Sequence, residues 1–294
     1  MTTSPVYAVT GASGQLGRRV VDALARRAGA ASIVAVVRNP DAARDSLPQG
    51  VTIRQGDYED PASLDAAFDG IDRLVLISSN ALGARTRQHA NAIEAARRAG
   101  VRHIAYTSVL HADTSQLGLA AEHRETEALL ARSGIAHTLL RNGWYTENYT
   151  ASIPPALQHS AFIGSAGTGR IASAARQDYA EAAAIAISRA QLPAREVLEL
   201  AGDTAYTLGE FAAELSRQTG RDIPYADMPE ADYRAALVSA GLPEGVADLL
   251  ADSDAAAAKG ALDDDSRTLS ALTGRATTGL EAMIRDALAG GGLG

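Results

Sequence analysis

The chain has 294 residues, 46% hydrophobic and 21% charged, enough for one large domain and a smaller one. Its formal net charge of −8 argues against nucleic acid or an anionic membrane as partner. It has no cysteine, which excludes disulfides, thiolate nucleophiles and cysteine-ligated metals, and its single lysine, Lys259, excludes any mechanism that needs a lysine in residues 1–258.

The predicted elements alternate through the first half. Apolar runs at 6–9, 32–37, 51–54, 74–78, 103–108 and 137–140 have the length and flanking turn residues of buried parallel strands. Helical stretches at 16–28, 61–68, 85–99 and 119–133 separate them, two ending in basic turns closed by Gly100 and Gly134. Strand-helix alternation predicts right-handed crossovers and an α/β fold: a Rossmann-type doubly wound parallel sheet. After Tyr145 the rhythm changes. Pro154-Pro155 and residues 164–169 read as loops, 178–189 as an alanine-rich helix and 197–200 as a further strand. Thr207-Leu-Gly-Glu210 is a capping box before a helix at 211–217, and 230–290 read as several short helices before a glycine-rich tail. The expected division is a dinucleotide-binding domain over 1–150 and a smaller, mainly helical domain over 151–294. The latter covers the sheet's carboxyl edge and returns some segments to the first.

No apolar run approaches the roughly 18 residues of a membrane helix. The first strand begins within six residues, without a basic-then-apolar leader, so the expected location is cytoplasmic.

The chemistry starts between the first strand and helix. Gly11, Gly14 and Gly17 stand three apart there. Gly11 suits the tight turn, Gly14 the approach of backbone N–H groups to a pyrophosphate, and Gly17 a helix lying close on the sheet. The second strand ends Arg38-Asn39-Pro40, with no carboxylate before Asp41. A guanidinium there suits a 2′-phosphate, favouring NADPH over NADH. Asp57 is read either as a partner of the adenine amine or as the cap of the turn before Pro61. Ser78 and Ser79 allow backbone to approach ribose and diphosphate.

The fifth strand ends Tyr106-Thr107-Ser108, where short-chain dehydrogenases use a serine and a Tyr-x-x-x-Lys pair. The missing lysine rules that pair out. His123 and Glu127 lie one helical turn apart, read as a surface pair in preference to a proton donor. His111 and Asp113 are further polar candidates. After the sixth strand, Asn142 offers an amide to a carboxamide, Gly143 permits close contact, and Trp144 and Tyr145 offer flat surfaces to an aromatic ring or nicotinamide. Core packing is the alternative for Trp144. Neither histidines nor carboxylates show metal-ligand spacing.

Thr-Gly-Ala-Ser-Gly-Gln-Leu-Gly, Val-Val-Arg-Asn-Pro, Leu-Ile-Ser-Ser, the run from Ala105 through His111-Ala-Asp-Thr-Ser115, and Asn142-Gly-Trp-Tyr-Thr-Glu147 together resemble the NmrA-like atypical short-chain dehydrogenases. Among these the likeness is to the bacterial NADPH:quinone oxidoreductases, and it covers nearly the whole chain. The resemblance implies NADPH held by Gly11, Ala12, Ser13, Gly14, Gln15 and Leu16, by Arg38, by Ile77, Ser78 and Ser79, and by Asn142, Gly143, Trp144, Tyr145, Thr146 and Glu147. It also implies quinone reduction without flavin. With no Tyr–Lys pair, His123 and Tyr145 are the only weak catalytic candidates. A non-catalytic NADP(H)-binding sensor and a reductase of conjugated dyes are the rival readings. The oligomeric state stays open, a homodimer included.

Overall fold

The computed structural model describes residues 4–290, so the glycine-rich tail beyond 290 lies outside the described residues. Nine strands and thirteen α-helices follow in chain order: β1 (Tyr7–Thr10), α1 (Gln15–Ala28), β2 (Ile33–Val37), α2 (Pro40–Ala43), β3 (Thr52–Gln55), α3 (Pro61–Phe68), β4 (Arg73–Leu76), α4 (Arg85–Arg98), β5 (His103–Val109), α5 (Ala120–Ser133), β6 (Ala136–Asn142), α6 (Thr146–Thr150), α7 (Ile153–His159), β7 (Phe162–Gly164), α8 (Arg176–Ser188), β8 (Arg195–Leu200), α9 (Leu208–Thr219), β9 (Tyr225–Asp227), α10 (Glu230–Ser239), α11 (Glu244–Ala257), α12 (Thr268–Thr273) and α13 (Leu280–Leu288).

Seven strands form one parallel sheet in the order β3-β2-β1-β4-β5-β6-β8. The order reverses between β1 and β4, which opens a crevice at their carboxyl ends. Successive residues of a strand face opposite sides, so a run buried on both faces needs apolar residues throughout. In β2, Ile33, Ala35 and Val37 join one core with Val20, Val21 and Leu24 of α1 and Ile187 of α8. Val34 and Val36 join the opposite core, with Leu64 and Phe68 of α3, Ile93 of α4 and Leu130 of α5. The Rossmann-type sheet expected from the sequence is therefore present.

The carboxyl end of β4 stops two residues before the predicted run ends. Ile77 N–H donates to Thr10 Oγ1 at 3.1 Å and Ser78 N–H to Thr107 Oγ1 at 2.8 Å. Hydroxyls of the flanking strands thus replace the carbonyls of a ladder, and the chain leaves the sheet. At the other side β6 runs on to Asn142, because β8 pairs with it from His137↔Arg195 to Asn142↔Leu200.

Residues after 150 contribute to both layers. Helix α8 packs on α1, α12 packs on α8, and β8 closes the edge of the main sheet. Most of the remainder encloses a separate core of Tyr149, Ile153, Phe162, Phe211, Leu215 and Ile223, which also takes in Trp144. Within it β7 and β9 pair in parallel. The capping box on α9 forms: Glu210 N–H donates to Thr207 Oγ1 at 3.1 Å, and Thr207 N–H to Glu210 Oε2 at 2.7 Å. The buried Asp178 accepts from the Arg275 guanidinium at 2.7 Å and Thr278 N–H at 2.8 Å, tying the chain after α12 to the start of α8.

One of the two closest backbone approaches lies under α1. A Cβ on Gly17 would sit 2.1 Å from the Gly11 carbonyl oxygen, a backbone atom with nowhere to go. Gly17→Ala is expected to lower stability by about 3 kcal/mol, the upper range for inserting a methyl into a packed core, read as the shift in a urea unfolding midpoint.

Candidate cofactor and acceptor site

The turn from β1 into α1 is an anion site built from backbone. Gly11 has φ +59°, a left-handed conformation that glycine adopts at no steric cost. Gly14 donates its N–H to the Gly11 carbonyl at 2.9 Å and takes the N-cap position of α1, where it has no side chain to cap the helix. The first bond of α1 runs from Arg18 N–H to the Gly14 carbonyl at 3.0 Å. The N–H groups of Gln15, Leu16 and Gly17 therefore have no intrahelical acceptor, and the first turn carries no acidic residue. Free donors at the positive end of a helix dipole favour a phosphate.

These residues wall a cavity of about 340 Å³. Its lining brings together Gly11, Ser13, Gly14, Gln15, Leu16, Arg38, Asp57, Ile77, Ser78 and Ser79. Ala12 is buried beneath the turn, its N–H directed at the Val36 carbonyl. Arg38 is exposed at the end of β2 and makes no ion pair or side-chain hydrogen bond among the described residues. The α3 cap is Asp60, which accepts from Ala62 N–H at 3.1 Å. Asp57 instead accepts from Glu59 N–H at 3.0 Å within its own turn and faces the cavity.

Sequence reasoning missed what holds the Ser79 wall. Ser79 N–H donates to His89 Nε2 at 2.9 Å, Arg85 Nε–H donates to the Ser79 carbonyl at 2.6 Å, and the Ser79 hydroxyl donates to Gln88 Oε1. The N–H, the carbonyl and the hydroxyl of Ser79 are thus each engaged by the start of α4. His89 acts as acceptor at Nε2, so its proton sits on Nδ1, which donates to Thr126 Oγ1 at 2.9 Å. Burial, with the neighbouring Arg85 charge, holds this imidazole down to about 3, which keeps it neutral. The signal was present: Arg85, Gln88 and His89 share the face of α4 that carries Ala92, Ile93 and Ala96, a buried stripe that begins polar.

His123 departs from its expected place. It is 4% exposed, with Nδ1 2.8 Å from the Tyr106 hydroxyl. Burial holds it well below the usual imidazole range, and it does not line the cavity. The surface pair with Glu127 does not form. The inward stripe of α5 is Ala120, His123, Thr126 and Leu130, which points His123 under the sheet. Glu127 turns toward β6, accepts the Ser108 hydroxyl at 2.6 Å and takes Arg141 bidentately at 3.0 and 2.8 Å. Asp113 joins that cluster 3.1 Å from Arg141, and His111 lies 3.3 Å from Asp264. None of these groups lines the cofactor cavity.

The stretch from Asn142 to Glu147 lies at the carboxyl end of β6, outside the lining of the cofactor cavity. Both amide atoms of Asn142 are buried without a hydrogen-bond partner, as is Trp144 Nε1. A buried amide without partners costs free energy, and a ligand carboxamide would satisfy it. A Cβ on Gly143 would fall 3.0 Å from the Tyr179 hydroxyl and 3.1 Å from the Leu200 carbonyl, so a side chain there would push on both. Trp144 is 8% exposed and packed in the second core. Tyr145 stacks under the Arg176 guanidinium at 4.9 Å and edge-on to Tyr179, and burial raises its phenol above the ordinary range. Thr146 Oγ1 lies 2.8 Å from Ser173 Oγ, and Glu147 accepts the first N–H of α8, from Arg176, at 3.0 Å. The last two side chains are engaged in structure. The backbone donors at α1, the unpaired Arg38 and the orphaned Asn142 amide together fit NADPH.

Residues 11–189 match the NAD(P)H-binding family. Escherichia coli quinone oxidoreductase 2 is 58% identical over 279 residues, 95% of this chain and 97% of that one. Its crystal structure complexed with NADPH superimposes with a TM-score of 0.93 at 56% identity, covering 96% of this chain and 100% of that one. An NmrA-like family domain-containing oxidoreductase from Aspergillus flavus is 30% identical over 74% of this chain and 72% of its own length. The Citrobacter sp. triphenylmethane reductase complexed with NADP(H) matches with a TM-score of 0.91 and 34% identity, covering 96% of this chain and 99% of that one. The chain belongs to the NAD(P)H-binding, NmrA-like family that includes the E. coli quinone oxidoreductase 2.

Proposed function

We propose that this protein is an NADPH-dependent quinone reductase that works without flavin. The observation that carries the reading is a backbone anion site beside an unpaired Arg38, in a chain 58% identical to a quinone oxidoreductase across nearly its whole length. The N–H groups of Gln15, Leu16 and Gly17 hold the pyrophosphate, Arg38 the 2′-phosphate, and the clamped Ser79 segment the ribose side. Asn142 orients the carboxamide. Bound NADPH supplies the hydride.

The chain's own part is then position and exclusion of water rather than acid–base chemistry. Reduction of a ketone forms an alkoxide that must be protonated as it forms, whereas reduction of a quinone leaves a phenolate whose conjugate acid has a pKa of about 10. Water suffices for that proton. No lysine precedes Lys259, and His123 is buried away from the cavity, so neither competes for the role. Residues 151–175 and 201–267 supply the cover over the acceptor. A conjugated dye as acceptor is a second reading, favoured by the likeness to the triphenylmethane reductase.

Purified protein, with no flavin added, should oxidise NADPH when simple quinones are supplied. Tight NADPH binding with no oxidation across a panel of quinones, triphenylmethane dyes and azo dyes would identify a cofactor-binding sensor instead. Arg38→Ala should lower the NADPH-over-NADH preference by at least tenfold, about 1.4 kcal/mol, by isothermal titration with both cofactors. An unchanged ratio would assign the 2′-phosphate to another group. His89→Phe removes the acceptor of Ser79 N–H, and KM for NADPH should rise about tenfold, the lower range for an orphaned buried donor, with kcat for quinone nearly constant.

The same variant should alter the acid limb of stability. His89 titrates at about 3 when folded and about 6.5 when unfolded. Unfolding therefore takes up a proton between those values, and the wild type loses stability as pH falls below about 6.5. Urea unfolding at pH 7 and pH 5 should show a smaller loss in His89→Phe.

A further inference from the structure

A second cavity, of about 800 Å³, lies between α4, α5 and α11. The 79–88 segment walls both cavities: Ser79, Asn80, Ala81 and Gln88 face the cofactor, and Leu82, Gly83, Thr86 and Arg87 face the second space. Its volume falls within the range of small-molecule sites. The floor is apolar, formed by Leu82, Ala90, Leu119, Leu129 and Leu249. Leu82 remains 45% exposed there.

The rim carries one arginine and four carboxylates, and most of these charges are already matched. Arg87 pairs with Glu59, and Asp248 pairs with Arg234. Glu122 lies 3.7 Å from the buried Arg85 guanidinium and accepts Gly83 N–H at 3.1 Å. Two carboxylates remain without a cationic partner among the described residues. Glu125 accepts only the Thr86 hydroxyl, at 2.6 Å, and Asp252 only Gly118 N–H, at 2.8 Å. They stand on α5 and α11, on opposite walls of the cavity.

We propose that this cavity is a binding site for a lipophilic organic cation, separate from the cofactor cavity. Each part of the lining selects one property of the ligand. Leucines reward burial of apolar surface, which a small hydrated cation does not offer. Two unmatched carboxylates repel an organic anion and attract a cation in a partly desolvated space. A neutral apolar molecule gains the floor and leaves the rim unused. The site does not rest on the identity of the electron acceptor, and its test stands whichever acceptor the enzyme reduces.

Equilibrium dialysis of the full chain, saturated with NADP⁺, against tetraphenylphosphonium and tetraphenylborate compares ions of nearly equal shape and opposite charge. The phosphonium should bind at least tenfold more tightly than the borate. Glu125→Gln with Asp252→Asn keeps both hydrogen-bond acceptors and removes both charges. It should weaken phosphonium binding by about tenfold, the sum of two partly exposed ion pairs, and abolish the preference. Ala90→Trp fills the cavity and should remove binding of both ions. NADPH binding by isothermal titration, unchanged in these variants, verifies that they are folded. If Ala90→Trp does not fold, the charge variant decides alone. Equal affinity for the two ions, phosphonium binding indifferent to the charge variant, or phosphonium binding that appears only when NADP⁺ is left out would each overturn the assignment.

Discussion

Everything at the cofactor end depends on two stretches of backbone touching. The Gly11 carbonyl lies where a Cβ of Gly17 would be, so α1 approaches β1 more closely than any side chain would allow. That contact aims the first turn of α1 at the crevice between β1 and β4 and leaves its amides unshared. The same device recurs in the cover, where a Cβ on Gly202 would meet the Ser173 carbonyl at 2.1 Å, and one on Gly169 the Ala257 carbonyl at 2.3 Å. Bare backbone against bare backbone joins the sheet to its cover as it joins the sheet to its first helix.

Behind the Ser78–Ser79 wall the polar groups are engaged with one another. Thr10 and Thr107 use hydroxyls to draw the chain after β4 out of the sheet, and α4 then grips Ser79 from below. His89, behind the Ser79 wall, is buried, and desolvation holds it to about 3. This imidazole fixes the Ser79 segment without itself bringing charge to the crevice. The formal charges near the carboxyl ends of β5 and β6 pair among themselves, through Glu127, Arg141 and Glu199. A crevice of this kind orients two flat conjugated partners and does little else, which suits an acceptor whose reduced form needs no enzymic acid.

The sheet was legible where strands such as β1, β2 and β4 are apolar along most of their length and where helices such as α1, α4 and α5 end on basic turns followed by a glycine. The glycine spacing, Arg38 and the Ser78–Ser79 turn were legible for the same reason: backbone and charge requirements act locally. Where side chains of mixed character carry the burial, sequence pattern reads them as surface. In α5 the inward stripe includes His123 and Thr126, and in α4 it begins with Arg85, Gln88 and His89. Periodicity scores those positions as polar, so the His123–Glu127 surface pair was inferred and the Ser79 clamp was overlooked. Strands β7 and β9 have three residues each, too few for any period to show.

Strand β8 carries a consequence for how the chain assembles. It is the last strand of the main sheet to be synthesised, and β6 pairs with it across a gap of 58 residues. Until residue 200 has emerged, the seven-residue β6 offers a bare row of amides and carbonyls to any neighbouring chain. The face of α1 that α8 will cover is equally open. A nascent chain ending near residue 150 therefore holds most of the cofactor crevice yet remains sticky along one side. Closure of that edge waits on a contact distant in sequence, the slow kind. A break between 150 and 195 would leave the same edge of β6 uncovered.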